Sequence, residues 1–305
     1  MYAVNEDGEK EGGGKVTAFS FDKANRKLKK INQVESIGNH PCYVTVDKTG
    51  KWVIAGNYSS GTVSVFPIAP DGGIGIASTT LQHQGSGPNK SRQTAPHVHA
   101  TVFSPDNKYL FVPDLGIDKV VGYNFNPKKG SIALKTTTKL SDGSGPRHMD
   151  FHPNGKWAYV IQELTGTVTR YSYVDGNLRQ LQEISLLPPD YKGSASSADI
   201  HVSPDGKFLY TSNRNPSNNI TIFSIDQVTG ALSLVSHHPT GGKVPRNFSF
   251  DPTGKLLLVA NQESDNITIF HVDKETGKLT DTGKQIPVPN PVCLKWITVA
   301  AKKKK

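Results

Sequence analysis

Short runs of alternating apolar and polar residues recur along the chain, separated by turns rich in Gly, Asp and Pro. The clearest are Val16–Phe19, Val63–Phe66, Val120–Tyr123, Val168–Tyr171, Ile220–Phe223 and Ile267–Phe270. Their two-residue period predicts strands that bury one side against a neighbouring layer. Five hairpin turns precede such runs: Asp47–Lys51, Ser104–Lys108, His152–Lys156, Ser203–Lys207 and Asp251–Lys255. In these turns Pro presets one dihedral angle, and Gly or Asn accepts the positive φ of a tight reversal. The unit recurs every ~50 residues with four strands, the spacing of propeller blades. No 3.6-residue period competes with it. The pattern predicts an all-β propeller, a single domain over residues 1–297 with a Lys-rich tail at 298–305, and about six blades present.

A hairpin also predicts which side chains meet at its open end, because residues equidistant from the turn lie opposite each other. That rule pairs Arg147 with Glu163 and Arg246 with Gln262, while Asp199 with Arg214, and His99 with Asp114, flank their turns in a similar way. All four pairs fall at the end opposite the turns, on one face of the disc. The first strand of a blade is the innermost, so these groups are expected to ring the mouth of the central channel. Charged groups are costly to bury unless paired or functional. A structural ion pair explains any one of these pairs, whereas four on one face favour a functional site.

Composition narrows the function. A hydrophobic share of 35%, with 29 Gly and 20 Pro, suits many short half-buried strands. No apolar run is long enough to span a membrane, and the start, Met1–Glu6, lacks a secretory leader pattern. Of the net charge of +9, the run Lys302–Lys305 supplies four, leaving +5 scattered through turns. With no basic helix or stacking-aromatic motif, nucleic acid is not the expected partner. A small anionic substrate is, bound by a monomer without a cofactor. Cys42 and Cys293 form no disulfide framework and read as small buried hydrophobes in a reducing cytoplasm. His97, His99 and Asp114 have ligand chemistry but no evident third close position, so no metal is expected. His237-His238 reads as a solvated turn, and the Asn-x-Ser/Thr sites at Asn57, Asn219, Asn247 and Asn266 as strand-edge amides.

Several stretches carry a resemblance. They include Gly38–Cys42, Gly85–Pro88, Pro96–His99, Asp114–Asp118, Gly145–His148, Gln162–Leu164, Ser197–His201, Ser212–Arg214 and Pro245–Phe248. In order and spacing they resemble the β-propeller lactonases, a family that includes 6-phosphogluconolactonases, from Asn5 to Cys293. The resemblance implies hydrolysis of a sugar lactone, with 6-phosphogluconolactone of the oxidative pentose phosphate route as substrate. It implies His99, Arg147, Glu163 and Arg214 as catalytic residues, with Arg246, His97, Asp114, Asp199 and Gln262 around the substrate. Ester hydrolysis needs a proton acceptor, an oxyanion partner and a proton for the leaving oxygen. Glu163 or His99 is the expected base, Arg147 the carbonyl partner, and Arg214 and Arg246 the anion grips. A muconate-type lactonising cyclase and a non-catalytic binding propeller are the alternatives. The family is seven-bladed, whereas this chain begins at a second strand. Pro291–Trp296 is expected to pair, as a lone first strand, with Tyr2–Asn5, in a ring short of one N-terminal blade.

Overall fold

The five hairpin turns fold as their residue types require: Gly50, Asn107, Gly155, Gly206 and Gly254 take φ between 61° and 76°. A computed structural model describes residues 1–8, 10 and 13–297, and the predicted Lys-rich tail lies outside the described residues. Each turn joins the first two strands of a four-stranded antiparallel meander. These meanders are β4 (Pro41–Val46) to β7 (Thr79–Gln82), β8 (Val102–Phe103) to β11 (Ser131–Lys139), and β12 (Pro146–Phe151) to β15 (Asn177–Ser185). β16 (Ser197–Val202) to β19 (Leu232–Pro239), and β20 (Pro245–Phe250) to β23 (Leu279–Pro287), complete them. Ahead of all five stands a sheet of three described strands, β1 (Tyr2–Asn5), β2 (Lys15–Asp22) and β3 (Lys27–Glu35).

Each sheet packs its apolar face on the next in chain order. Val16 and Ala18 of the first sheet meet Val53, Ala55 and Phe66 of the second, and Ile54 and Val65 meet Leu110 and Val112 of the third. Further round, Tyr159 and Ile161 meet Leu209 and Phe223, and Tyr210 and Ile222 meet Phe248 and Leu257. Each such side chain contributes roughly 1.5–3 kcal/mol by leaving water, so these layers, not isolated hairpins, hold the blades together. Outer strands such as β11 and β15 alternate exposed with half-buried residues.

The inner hairpins depart from perfect register in one repeated way. β-bulges interrupt the first strand at Cys42, at Arg147, at Ala198-Asp199 and at Arg246. An extra residue in one strand disrupts the ladder locally and re-aims the side chain. Strict equidistance from the turn therefore fails at the end where the polar residues lie.

Three expectations are corrected here. Pro291–Trp296 forms no strand; it lies along β20, with Leu294 N donating to Asn247 Oδ1 at 2.7 Å and Trp296 Nε1 to Ser249 Oγ at 3.1 Å. β1 hydrogen-bonds to β2, not to this segment. His237 and His238 belong to strand β19, where His237 Nδ1 meets Thr221 Oγ1 at 3.0 Å. Cys293 is exposed, whereas Cys42 is half-buried. The amides of Asn57 and Asn219 are buried strand-end groups, as expected.

Candidate active site

Glu163 follows β13 (Trp157–Gln162) and is the hub of an arginine cluster. Its Oε2 lies 2.9 Å from Arg147 Nε and 3.0 Å from Arg214 Nη2, and its Oε1 lies 2.6 Å from Arg92 Nη2. Burial opposes ionisation of this carboxyl, but Arg214, Arg147 and Arg92 outweigh it and pull its pKa down to about 2. Both oxygens of Glu163 are thus committed to guanidiniums, which leaves it a poor proton acceptor at neutral pH. Arg147 is almost fully buried and also donates through Nη1 to the Ala198 carbonyl at 2.8 Å. Burial, then Arg214 and Arg246, lower its pKa to about 10, so it stays charged at neutral pH.

Beside this cluster stands a second carboxylate. Asp199 Oδ1 meets His148 Nδ1 at 2.8 Å, and Oδ2 meets His201 Nε2 at 3.1 Å. Burial opposes ionisation of Asp199, yet His201 and His148 hold its pKa well below the ordinary value. Burial, then Arg147, lowers that of His148 to about 4. Burial, then Arg147, His148 and Arg246, also takes His99 well below its usual value. His201 moves the other way: burial is outweighed by Asp199 and Asp150, and its pKa is raised. The rings of His99 and His148 stand edge-on with centroids 5.4 Å apart, and Tyr58 stands edge-on to His99 at 5.3 Å.

The predicted pairs form only in part. Arg147 and Glu163 meet. Arg214 reaches Glu163, not Asp199, whose bulge turns it toward the histidines. His99 and Asp114 do not pair either. Asp114 is fully buried, accepting from His97 N and Gly116 N and meeting His83 Nδ1 at 2.7 Å, while His83 Nε2 meets the Tyr123 hydroxyl. It therefore supports the His97 loop. His97 stacks on Tyr58 at 4.4 Å and its Nδ1 meets the Tyr58 carbonyl. Arg246 reaches Glu6 at 3.6 Å. Its expected partner Gln262 begins a short 3-10 turn, with its backbone N bonded to the Val244 carbonyl. Among the described residues no group of three His, Cys, Asp or Glu is placed to hold a metal.

Arg92, His148, His201 and Tyr58 escape the sequence reading. Arg92 lies in a loop with no periodic pattern. Its neighbour Gln93 anchors that loop by donating to the Leu115 carbonyl and to Asp118 Oδ1, at 2.8 and 2.6 Å. His148 and His201 were legible in part: each stands within two residues of a predicted site residue, Arg147 or Asp199. The rule of equidistance passes over them because their partners across the hairpin are Ile161 and Tyr210, which carry no charge to pair.

The site so built has three guanidiniums, those of Arg92, Arg147 and Arg214, around one buried glutamate, with Arg246 paired to Glu6 and an Asp–His network at its side. The family profile described as "Lactonase, 7-bladed beta-propeller" matches residues 1–296. A 6-phosphogluconolactonase of Formosa agariphila is 41% identical over 87% of this chain and 75% of its own length. One of Bacillus subtilis is 38% identical over 94% of this chain and 82% of its own. The solved structure of the Pseudomonas aeruginosa periplasmic gluconolactonase superposes with a TM-score of 0.92 at 35% identity, covering 98% of this chain and 85% of its own. On its sequence and its repeated sheets, the chain belongs to the seven-bladed β-propeller lactonase family.

Proposed function

We propose that this enzyme hydrolyses the ring ester of a phosphorylated sugar lactone, 6-phospho-D-glucono-1,5-lactone, to the open acid, in the oxidative pentose phosphate route. The observation that carries this reading is the excess of guanidinium over carboxylate at the mouth. Glu163 satisfies only part of the hydrogen-bonding capacity of Arg92, Arg147 and Arg214. The remaining donors suit a phosphate, the developing carboxylate and the carbonyl oxygen of a bound lactone.

Each group has a role in that chemistry. Arg147, held rigidly by Glu163 and the Ala198 carbonyl, polarises the ester carbonyl and stabilises the tetrahedral oxyanion. Arg214, Arg246 and Arg92 grip the anionic end of the substrate. His99, kept neutral, borders the reacting carbon with His97 and Tyr58. Glu163, with its pKa at about 2, holds the arginines in place. The buried Asp199 acts through its histidines, and Gln262 lines the rim. The two unpaired cysteines support a cytoplasmic setting, and no helix of the described residues is long and apolar enough to cross a membrane.

The test is a pH-stat comparison of 6-phosphogluconolactone, unphosphorylated glucono-1,5-lactone and a muconolactone. The reading expects the highest kcat/KM on the phosphorylated sugar. Preference for the muconolactone would move the assignment to the cyclase side of the family. No turnover of any of the three would remove the hydrolase reading.

A further inference from the structure

Asp118 ends the turn between β9 (Tyr109–Asp114) and β10 (Lys119–Asn126), and two loops that carry site residues meet on its buried carboxylate. Gln93 Nε2 donates to its Oδ1 at 2.6 Å, Gly145 N to the same oxygen at 2.8 Å, and Gly143 N to its Oδ2 at 2.7 Å. The first loop holds Arg92. Its turn is closed by Arg92 N and Gln93 N, which donate to the Asn89 carbonyl at 3.1 and 2.7 Å. Gln93 is fully buried, and its Oε1 accepts from Asn89 N at 3.1 Å while Nε2 also reaches the Leu115 carbonyl. Its side chain is so closely packed that a β-carbon on Gly87 would stand 2.5 Å from it. The second loop holds Gly145, whose carbonyl accepts from Glu163 N at 2.8 Å and whose chain runs through Pro146 to Arg147.

Both ends of the Arg92–Glu163 ion pair are thus tied to one carboxylate. Arg92 adjoins Gln93, and the backbone of Glu163 is one hydrogen bond from Gly145. A turn already closed by its own backbone needs no buried amide and carboxylate beneath it, and such groups are costly unless fully paired. Arg92 does need them. Arg147 lies in β12 and Arg214 directly follows β17 (Phe208–Asn213), so the sheets place both. Arg92 stands midway between the end of β7 at Gln82 and the start of β8 at Val102. A long, partly exposed arginine gains little from an ion pair when it must also order its loop. The buried anchor removes the loop's share of that entropy and leaves only the side chain to be ordered.

We propose that Gln93 and Asp118 are the positioning residues of Arg92, setting its place against Glu163 and, through it, the hold on the anionic end of the substrate. The inference deepens the proposed function and rests on its reading of Arg92 as an anion grip. Loss of the Gln93 amide frees Arg92 but leaves Gly143 and Gly145 on Asp118, so Arg147 and Glu163 keep their places. The effect therefore falls on binding and spares turnover.

The experiment uses the full chain, with 6-phosphogluconolactone and glucono-1,5-lactone in a pH-stat and thermal unfolding as the check of folding. Gln93→Met keeps the length of the side chain and removes its donors and its acceptor. It is expected to raise KM for the phosphorylated lactone by ~5-fold or more, with kcat within about threefold of wild type. The KM for the unphosphorylated lactone should change much less. Added to Arg92→Ala, the same substitution should raise KM no further, because residues that act as one unit are not additive. Gln93→Asn, whose amide is one methylene too short for Asp118, is the second variant and carries the same expectations. In a crystal structure of either variant Arg92 should have left Glu163. A folded variant with wild-type KM, or one that raises KM as much without Arg92 as with it, overturns the proposal and makes Gln93 a loop staple only. An unchanged Arg92–Glu163 contact in the variant crystal overturns it too. Failure of the underlying reading looks different: an inactive wild-type chain removes the lactonase assignment, and an unchanged KM in Arg92→Ala removes the anion grip. In both cases the place of Arg92 in the variant crystals still decides whether Gln93 positions it.

Discussion

Arg92 reaches Glu163 from a separate loop, its Nη2 standing 2.6 Å from Oε1 and 3.3 Å from the Tyr58 hydroxyl. The two residues come from different sheets' loops, and the arginine is the more exposed partner, at 41% against 4%. It is the member of the cluster best placed to exchange Glu163 for a substrate anion. Arg92→Ala is accordingly expected to raise KM for the phosphorylated lactone by ~10-fold, about the value of one charge-assisted hydrogen bond. The KM for the unphosphorylated lactone should move much less. Equal changes for the two substrates would show that Arg92 does not read the phosphate.

Arg147 and Glu163 form a buried pair that neither member can leave cheaply. Removing one partner of such a pair costs about 3–5 kcal/mol, because the other charge stays buried and unmatched. Glu163→Gln should lower Tm by ~5 °C or more, and disperse the guanidiniums enough to reduce turnover. Arg147→Met should lower kcat by ~10²–10³-fold, the scale of losing an oxyanion donor. Differential scanning calorimetry and steady-state kinetics on the same preparations separate the two effects. A Glu163→Gln variant with unchanged Tm would contradict the keystone role.

Acid should unfold the protein in two steps. His148 has its folded pKa lowered from 6.5 to about 4. The unfolded chain therefore binds its proton first, and stability falls as pH drops from 6.5 toward 4. The shift corresponds to a contribution on the order of 3 kcal/mol at neutral pH. Glu163 has its folded pKa lowered from 4.5 to about 2, so its contribution is complete above 4.5 and is lost as pH falls toward 2. His201, with its pKa raised, works against the first step, since its contribution is complete below 6.5. In a urea series against pH, His148→Gln should flatten the upper window and leave the lower one in place.

Chelation should leave turnover unchanged. Asp114 spends its oxygens on His83, His97 N and Gly116 N, and His97 spends Nδ1 on the Tyr58 carbonyl. That leaves His99 without the companions that a three-ligand site requires. Loss of hydrolysis in EDTA, recovered with a divalent ion, would refute this.

The propeller was legible because its signals are local. Val63–Phe66 or Ile220–Phe223 announces a strand through period-2 alternation, and Gly155 or Gly206 announces a turn through the φ that only a residue without a β-carbon takes freely. The spacing of these signals determined the repeat, and the hairpin rule rightly brought Arg147 to Glu163. What it could not supply was the bulge. One extra residue at Ala198-Asp199 and one at Arg246 break the equidistance on which the rule depends, whereas the bulge at Arg147 leaves its contact with Glu163 in place. Asp199 consequently turns to His148 of the preceding sheet and His201 of its own strand, and Arg214 crosses to Glu163 from the next sheet. Arg92 reaches the same carboxylate from 71 residues upstream. Such contacts depend on how successive sheets are rotated about the channel, a relation between blades that no pattern within one blade encodes. The sequence determined the blades and the chemistry available at their ends; the packing of sheet against sheet decided which of those groups meet.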